Sequence, residues 1–186
     1  MSSMVARRYA SALMEVGLEN NLLEEFHKQF SEIINQLNRE EGFQKLLNSP
    51  LITNKEKKEI IKEVFGKYIN PYLLNFIFVV IDNKRQKNIK DIFLGFQDMV
   101  YEKNNILAVK AVSAVALNKQ QINSLKNRLA QQFNKEIIIE NKIDPSIMGG
   151  LVIYAENRIL DGSIKGKLEK LKTELKAIPL QEIGVK

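Results

Sequence analysis

The sequence predicts an α+β fold: an N-terminal six-helix bundle followed by a smaller C-terminal α/β domain of order strand-helix-strand-strand-helix. Three observations carry this expectation. Apolar residues recur at helical spacing as far as Asn105 and then, from Ile106, at a spacing of two. Residues 1–105 hold 15 Lys and Arg against 14 Asp and Glu, whereas residues 106–186 hold 13 against 8. Twelve of the 14 Phe and Tyr precede residue 106, leaving only Phe133 and Tyr154 after it. Period, charge and aromatic content change at one place, which predicts an all-helical partner-binding domain over 1–105 and a basic α/β domain with a C-terminal helix over 106–186. The 186 residues suit such a pair.

The elements follow in order. Val5, Tyr9, Ala12, Leu13 and Val16 sit at helical spacing, with Gly17 expected to stop the first helix. Asn21 with Glu24 three residues on reads as a capping box for a second helix, whose stripe is Leu22, Leu23, Phe26, Phe30, Ile33, Ile34 and Leu37. A short third helix runs from about Gly42 to Asn48, before Pro50. Thr53 with Glu56 is a second capping box, opening a helix with Ile60, Ile61, Val64 and Phe65 inward. Asn70-Pro71 places an N-cap before a proline at the first helical position, where its missing N–H costs little. The fifth helix then runs to about Asn83. Asn88 is expected to cap a sixth, with Ile92, Phe93, Phe96, Met99 and Val100 inward.

Beyond Ile106, the residues Leu107, Val109, Ala111, Val115 and Leu117 share one parity, as a half-buried strand requires. Asn118 caps a helix carrying Ile122, Leu125, Leu129 and Phe133. Ile137, Ile139 and Ile143 alternate with charged residues in a second strand. After Asp144-Pro145, the pair Gly149-Gly150 leads into a strand over Leu151 to Ala155, which Arg158 to Leu160 pairs with as a hairpin. Ser163 caps a last helix with Ile164, Leu168, Leu171, Leu175 and Ile178 at spacings of 4, 3, 4 and 3.

Composition excludes several chemistries. The chain has no Cys and one His, so disulfide scaffolds, thiol nucleophiles and multi-histidine metal sites are ruled out. No phosphate-cradling glycine loop is present. The longest apolar run, Leu73 to Ile81, is broken by Asn75 and is far short of the roughly 20 residues that cross a bilayer. Met1 to Leu13 lacks the apolar core of a signal peptide, and an intracellular protein is expected. His27, beside the apolar stripe of the second helix, reads as a packing residue. Asp144, Glu156 and Asp161 could hold a cation or serve a carboxylate-dependent hydrolase, but Asp before Pro and Asp-Gly-Ser before a helix favour turn and cap chemistry. No catalytic residue, cofactor or metal is predicted.

Two surfaces attract partners instead. Leu73, Leu74, Phe76, Ile77, Phe78, Val79, Val80 and Ile81 surround the axis of the fifth helix, and a helix apolar all round must be covered all round. Either it is central to its bundle or part of it lies in a groove that accepts another chain's amphipathic helix. The first helix, with Ala6, Ala10 and Ala12 permitting close approach, is the natural second wall. The last helix carries Lys165, Lys167, Lys170, Lys172 and Lys176 against Glu169 and Glu174. Its positive face suits an acidic protein, or RNA in an alternative reading as an RNA-binding accessory protein, or simply water. Scarce aromatics in this half weaken the RNA reading.

Three stretches resemble one family. They are Ala6-Arg7-Arg8-Tyr9-Ala10-Ser11-Ala12-Leu13, then Asp82-Asn83-Lys84-Arg85, and finally Asp144-Pro145-Ser146-Ile147-Met148-Gly149-Gly150 with Asp161-Gly162-Ser163-Ile164-Lys165-Gly166-Lys167-Leu168. In order and over nearly the whole chain, they resemble the delta subunit of F-type ATP synthases, known in mitochondria as the oligomycin-sensitivity-conferring protein. Two positions depart from the pattern: Lys84 replaces a common glycine, and Ala155-Glu156 stands where a hairpin glycine is frequent.

The resemblance implies a non-catalytic stator component. Its N-terminal domain would hold the amphipathic N-terminal helix of an alpha subunit on the catalytic head. Its C-terminal domain would join the b subunits of the peripheral stalk, so that the head resists rotor torque during proton-driven ATP synthesis. Carried onto this sequence, the groove pairs Ala6, Tyr9, Ala10, Ala12 and Leu13 with Phe76, Val79, Val80 and Asn83. Lys165, Lys172 and Lys176 are the expected stalk contacts. No nucleic acid and no membrane insertion are expected, and a peripheral position at the cytoplasmic face, or its equivalent for an organelle-encoded member, is implied.

Overall fold

Side-chain caps and left-handed turns set where the helices of the N-terminal region begin and end. The computed structural model describes residues 4–156 and 158–177, and its contacts divide the chain into two units, Met1–Lys103 and Asn104–Lys186. The first unit is helical: α1 (Met4–Glu19), α2 (Leu23–Arg39), α3 (Glu41–Asn48), α4 (Asn54–Phe65), α5 (Pro71–Asp82), a 3-10 turn (Gln86–Asn88) and α6 (Ile89–Lys103).

Gly17 does not stop α1. It lies inside the helix and is buried, and a Cβ there would meet the Leu23 side chain 2.7 Å away, so this glycine lets α2 approach closely. Nor does Asn21 cap α2. It takes φ 56°, and the N–H of Leu22 donates to Gly17 O while that of Asn21 donates to Leu18 O. This is the closing turn of α1, with asparagine in the left-handed position it tolerates better than most residues. Two of the other three expected caps in this region form as their chemistry dictates. Thr53 Oγ1 accepts from Glu56 N–H while Glu56 Oε2 accepts from Thr53 N–H, and Asn70 accepts from Tyr72 N–H ahead of Pro71. Val64 faces outward, and Lys57, Ile61 and Phe65 form the inward stripe of α4. Asn88 ends the 3-10 turn that feeds α6, and no side-chain cap from it is seen among the described residues.

The helical core gathers Phe26, Phe30, Ile33 and Leu37 of α2, Leu73, Ile77, Val80 and Ile81 of α5, and Ile92 and Phe96 of α6. Phe30 is its hub, with ring centroids 5.3 Å from Phe93, 6.2 Å from Phe76 and 6.5 Å from Phe96. Each such side chain contributes about 1.5–3 kcal/mol on burial.

The second unit contains β1 (Ile106–Ser113), α7 (Lys119–Phe133), β2 (Glu136–Ile143), a 3-10 turn (Pro145–Ile147), β3 (Leu151–Ala155), β4 (Arg158–Asp161) and α8 (Ile164–Ala177). The sheet order is β2-β1-β3-β4. β1 and β2 run parallel, with Val109 opposite Ile139, and a parallel pair needs a crossover, which α7 supplies. β1–β3 and β3–β4 are antiparallel. Leu107, Val109, Ile137 and Ala155 pack with Leu129 of α7. Asn118 and Gln121 form the capping box of that helix.

β1 ends at Ser113, so Val115 and Leu117 fall outside it. Ser113 Oγ donates to Val115 O, which turns the chain away and leaves the valine exposed. Ile143, at the end of β2, is also exposed. Met148, Gly149 and Gly150 all have positive φ, and a Cβ on Gly150 would run into Gly162 O, so the glycine pair does serve backbone entry into β3. Ile178 lies outside the described residues.

Candidate functional site

A groove opens where the outer face of α1 meets the turn after α5. α1 carries two stripes. Ala6, Ala10, Leu13 and Gly17, spaced 4, 3 and 4, are buried, and the most extensive neighbour of α1 is α6. Val5, Arg8, Tyr9 and Ala12, spaced 3, 1 and 3, line the groove together with Asn83 and Arg85, around a volume of about 460 Å³. The expectation that Ala6, Ala10 and Leu13 face a partner is therefore corrected. Their small size serves close approach, but the helix they admit is one of the chain's own. Val80 is corrected likewise, since it lies in the core with Ile77 and Ile81. It lies three residues after Ile77 and seven after Leu73, so helical geometry places it on the buried face of α5 with them.

Tyr9 is half-buried. Its ring meets Phe76 edge-on with centroids 6.3 Å apart, and Phe76 in turn packs against Phe30. The tyrosine is thus anchored to the core on one side and open to the groove on the other. Val79, 49% exposed, shares a face of α5 with Asn83 four residues on. Ala12 is exposed.

The end of α5 is built by an unusual residue. Lys84 takes φ 57°, its N–H donates to Ile81 O, and the N–H of Arg85 donates to Val80 O at 2.9 Å. This closing pattern usually has glycine at the left-handed position. It reverses the chain so that Asn83 and Arg85 both reach the groove. Asn83 Nδ2 donates to Val79 O at 2.8 Å, fixing that side chain against its own helix. Val5, Arg8 and Arg85 are lining residues that the groove assignment from sequence missed. For Val5 and Arg8 the signal existed, because they lie four residues before Tyr9 and Ala12. For Arg85 it did not, because a lysine does not announce a left-handed turn.

The other candidates resolve into structure. His27 stacks on Phe93 at 6.0 Å and touches Tyr101 at 5.5 Å, with Nε2 3.3 Å from Gln97 Nε2. Burial lowers its pKa below the ordinary 6.5. Asp144 accepts from Ser146 N–H and Asp161 from Ser163 N–H; hydrogen bonding to the side chains of those serines, and then these backbone bonds, hold both carboxyls below their usual range. Glu156, at φ 51° in the β3–β4 turn, pairs with Lys135 at 2.7 Å, which lowers its pKa too. Ser163 Oγ accepts from Gly166 N–H and caps α8. Among the described residues, no group of three or more His, Asp or Glu is placed to hold a metal ion, and no helix is long and apolar enough to cross a membrane.

Lys165, Lys172 and Lys176 are exposed on α8, and so is the helix's apolar stripe. Ile164, Leu168, Leu171 and Leu175 are 48%, 52%, 54% and 67% accessible. The expected stripe is present, but the described residues do not cover it.

The chain thus combines a helical unit with an open groove and a second unit of a mixed four-stranded sheet and an amphipathic helix whose apolar stripe the described residues leave uncovered. The family profile of the ATP synthase delta (OSCP) subunit matches residues 5–175. The chain is 31% identical over 179 residues to the ATP synthase subunit delta of Clostridioides difficile (strain 630), covering 96% of this chain and 99% of that one. It is 36% identical over 172 residues to the protein of the same name from Desulforudis audaxviator (strain MP104C), covering 92% and 94%. A chain of the Toxoplasma gondii mitochondrial ATP synthase hexamer, solved by cryo-EM, shares the fold with a TM-score of 0.79 at 20% identity, over 95% of this chain and 100% of that one. The chain belongs to the ATP synthase delta (OSCP) subunit family. Its role is that of a non-catalytic stator component of an F-type ATP synthase.

Proposed function

We propose that helices α1–α6 act as a six-helix bundle whose groove receives the amphipathic N-terminal helix of an ATP synthase alpha subunit, and that α8 takes the C-terminal part of the b subunits of the peripheral stalk. The observation that carries the first half is the outer stripe of α1. Val5, Tyr9 and Ala12 present an apolar wall, anchored through Phe76, at the mouth of a groove of helix-accepting kind. Ala6, Ala10, Leu13 and Val80 support that wall from behind, and Phe76, Val79 and Asn83 belong to the opposite side. For the stalk, the stripe of α8, which the described residues leave uncovered, supplies apolar contact, and Lys165, Lys172 and Lys176 supply steering toward an acidic helix. Linked in this way, the catalytic head cannot follow the rotor. The protein then sits at the periphery of the membrane, on its cytoplasmic side or the equivalent organellar side.

Titration of the full chain with a peptide from the N-terminus of the alpha subunit and, separately, with a fragment from the C-terminal end of a b subunit tests both halves. Saturable binding of each, without mutual competition, is the expected result. Failure of the alpha peptide to bind removes the groove from consideration. We also propose that residues 1–105 fold alone, as a fragment ending at Asn105 would reveal by a cooperative helical melt.

A further inference from the structure

The groove contains two guanidinium groups that the chain leaves without acidic partners among the described residues. Arg8 comes from α1 and Arg85 from the turn after α5, yet both line the same space beside Val5, Tyr9, Ala12 and Asn83. Both are exposed, and none of the ion pairs among the described residues involves either. The carboxylate nearest in sequence to Arg85, that of Asp82, is engaged by Lys58 at 2.8 Å. Nor is Arg85 there by accident of a loose loop, because its N–H is tied to Val80 O through the left-handed Lys84.

Two like charges brought into one half-apolar groove repel each other, and that cost is recovered only when anionic groups enter with the ligand. A guanidinium presents five N–H donors in a rigid fork that matches a carboxylate two atoms to two. We propose that the occupant is an amphipathic helix with Asp or Glu on both flanks of its apolar stripe, and that Arg8 and Arg85 select it by pairing with those carboxylates. This rests on the helix-in-groove reading above and adds the chemistry that decides which helix is accepted. The apolar half of the lining favours such a helix over a nucleic acid, whose phosphates would leave Val5, Tyr9 and Ala12 facing water. In partly solvated pairs the gain is modest in affinity and larger in discrimination, since a helix with Lys in place of Glu meets two unpaired arginines.

The experiment uses the full chain and two designed amphipathic peptides with the same Leu and Ile stripe, one flanked by Glu and the other by Gln, followed by fluorescence anisotropy at low and high salt. The Glu peptide is expected to bind about fivefold to tenfold more tightly at low salt, the gap narrowing as salt is raised. In the Arg8→Gln, Arg85→Gln double variant the two peptides should bind alike, with the thermal midpoint unchanged because neither arginine forms an ion pair within the described residues. If the wild-type chain binds both peptides with equal affinity, the selection is overturned while the apolar groove stands. If it binds neither, the groove reading fails and this inference with it. If a polyanion such as heparin displaces the Glu peptide and binds the double variant no less tightly than wild type, the arginines are not the anion-reading groups and the proposal falls.

Discussion

Replacing Ala12 with leucine separates groove from core more cleanly than any other single change. Ala12 is exposed on the outer stripe of α1 and lines the groove, so the larger side chain would project well into the space an incoming helix needs. The chain's own fold hardly notices, because leucine and alanine are both strong helix formers and surface substitutions usually stay within about 0.5 kcal/mol. A partner side chain denied its pocket forfeits much of the roughly 1.5–3 kcal/mol its burial supplies. Calorimetry with the N-terminal peptide of the alpha subunit should therefore show at least tenfold weaker binding, about 1.4 kcal/mol. Tyr9→Ala is the necessary companion. It should weaken binding by a similar factor, but it also breaks the edge-on contact with Phe76, adding about 0.5–1.5 kcal/mol of lost stability. Thermal melts of both free variants run beside the titrations. Wild-type affinity for Ala12→Leu would show that the partner does not enter here. A destabilised Ala12→Leu protein with unchanged affinity per folded molecule would place this stripe in the core.

Further outcomes follow from single features. Lys84→Gly should stabilise the chain by about 0.5–1 kcal/mol in chemical denaturation, because a left-handed lysine costs about 1–2 kcal/mol and the added freedom of unfolded glycine returns only part of it. Lys84→Ala should bring no such gain. For His27, burial disfavours the charged ring, so its folded pKa lies below 6.5. Above that value folded and unfolded chains are both neutral there. As pH falls below it the unfolded chain binds the proton first, so stability declines and then levels off beneath the folded value. His27→Gln should flatten that part of the curve, and an unaltered slope would assign it to other groups. Reversing Lys165, Lys172 and Lys176 to Glu should slow association with a fragment of a b subunit at low salt and matter little at high salt. Equal rates throughout would leave those lysines as ordinary solvated groups.

The order of elements and the place where the chain changes character were legible before any packing was known. Local chemistry accounts for this. Thr53 with Glu56, Asn70 with Pro71, and the Asn118 cap act over three residues or fewer, and a period of two or of 3.6 is a property of the segment that carries it. Short motifs at the start of the chain and after the apolar helix also contain residues that line the open space, Arg8, Tyr9 and Ala12 from α1 with Asn83 and Arg85 from the turn after α5. Which side of α1 looks outward was not. Ala6, Ala10, Ala12 and Tyr9 are all compatible with close helix contact, and only the packing of α6 against one stripe assigns the other to solvent.

Glycine and asparagine were read by their commonest local uses, and tertiary structure reassigned both. Gly17 serves the approach of Leu23 rather than a helix end, and Asn21 closes the helix before it rather than opening the next. The reach of Arg85 into the groove depends on a left-handed lysine, a conformation that costs energy locally and is held by bonds to Val80 and Ile81. The same holds at the other end of the chain. The spacing of Ile164, Leu168, Leu171 and Leu175 marks an apolar stripe in any context, but whether the stripe is covered depends on neighbours many residues away. Among the described residues it stays open. Periodicity is local and survives in the sequence, whereas burial is a relation between distant segments and exists only once they have packed.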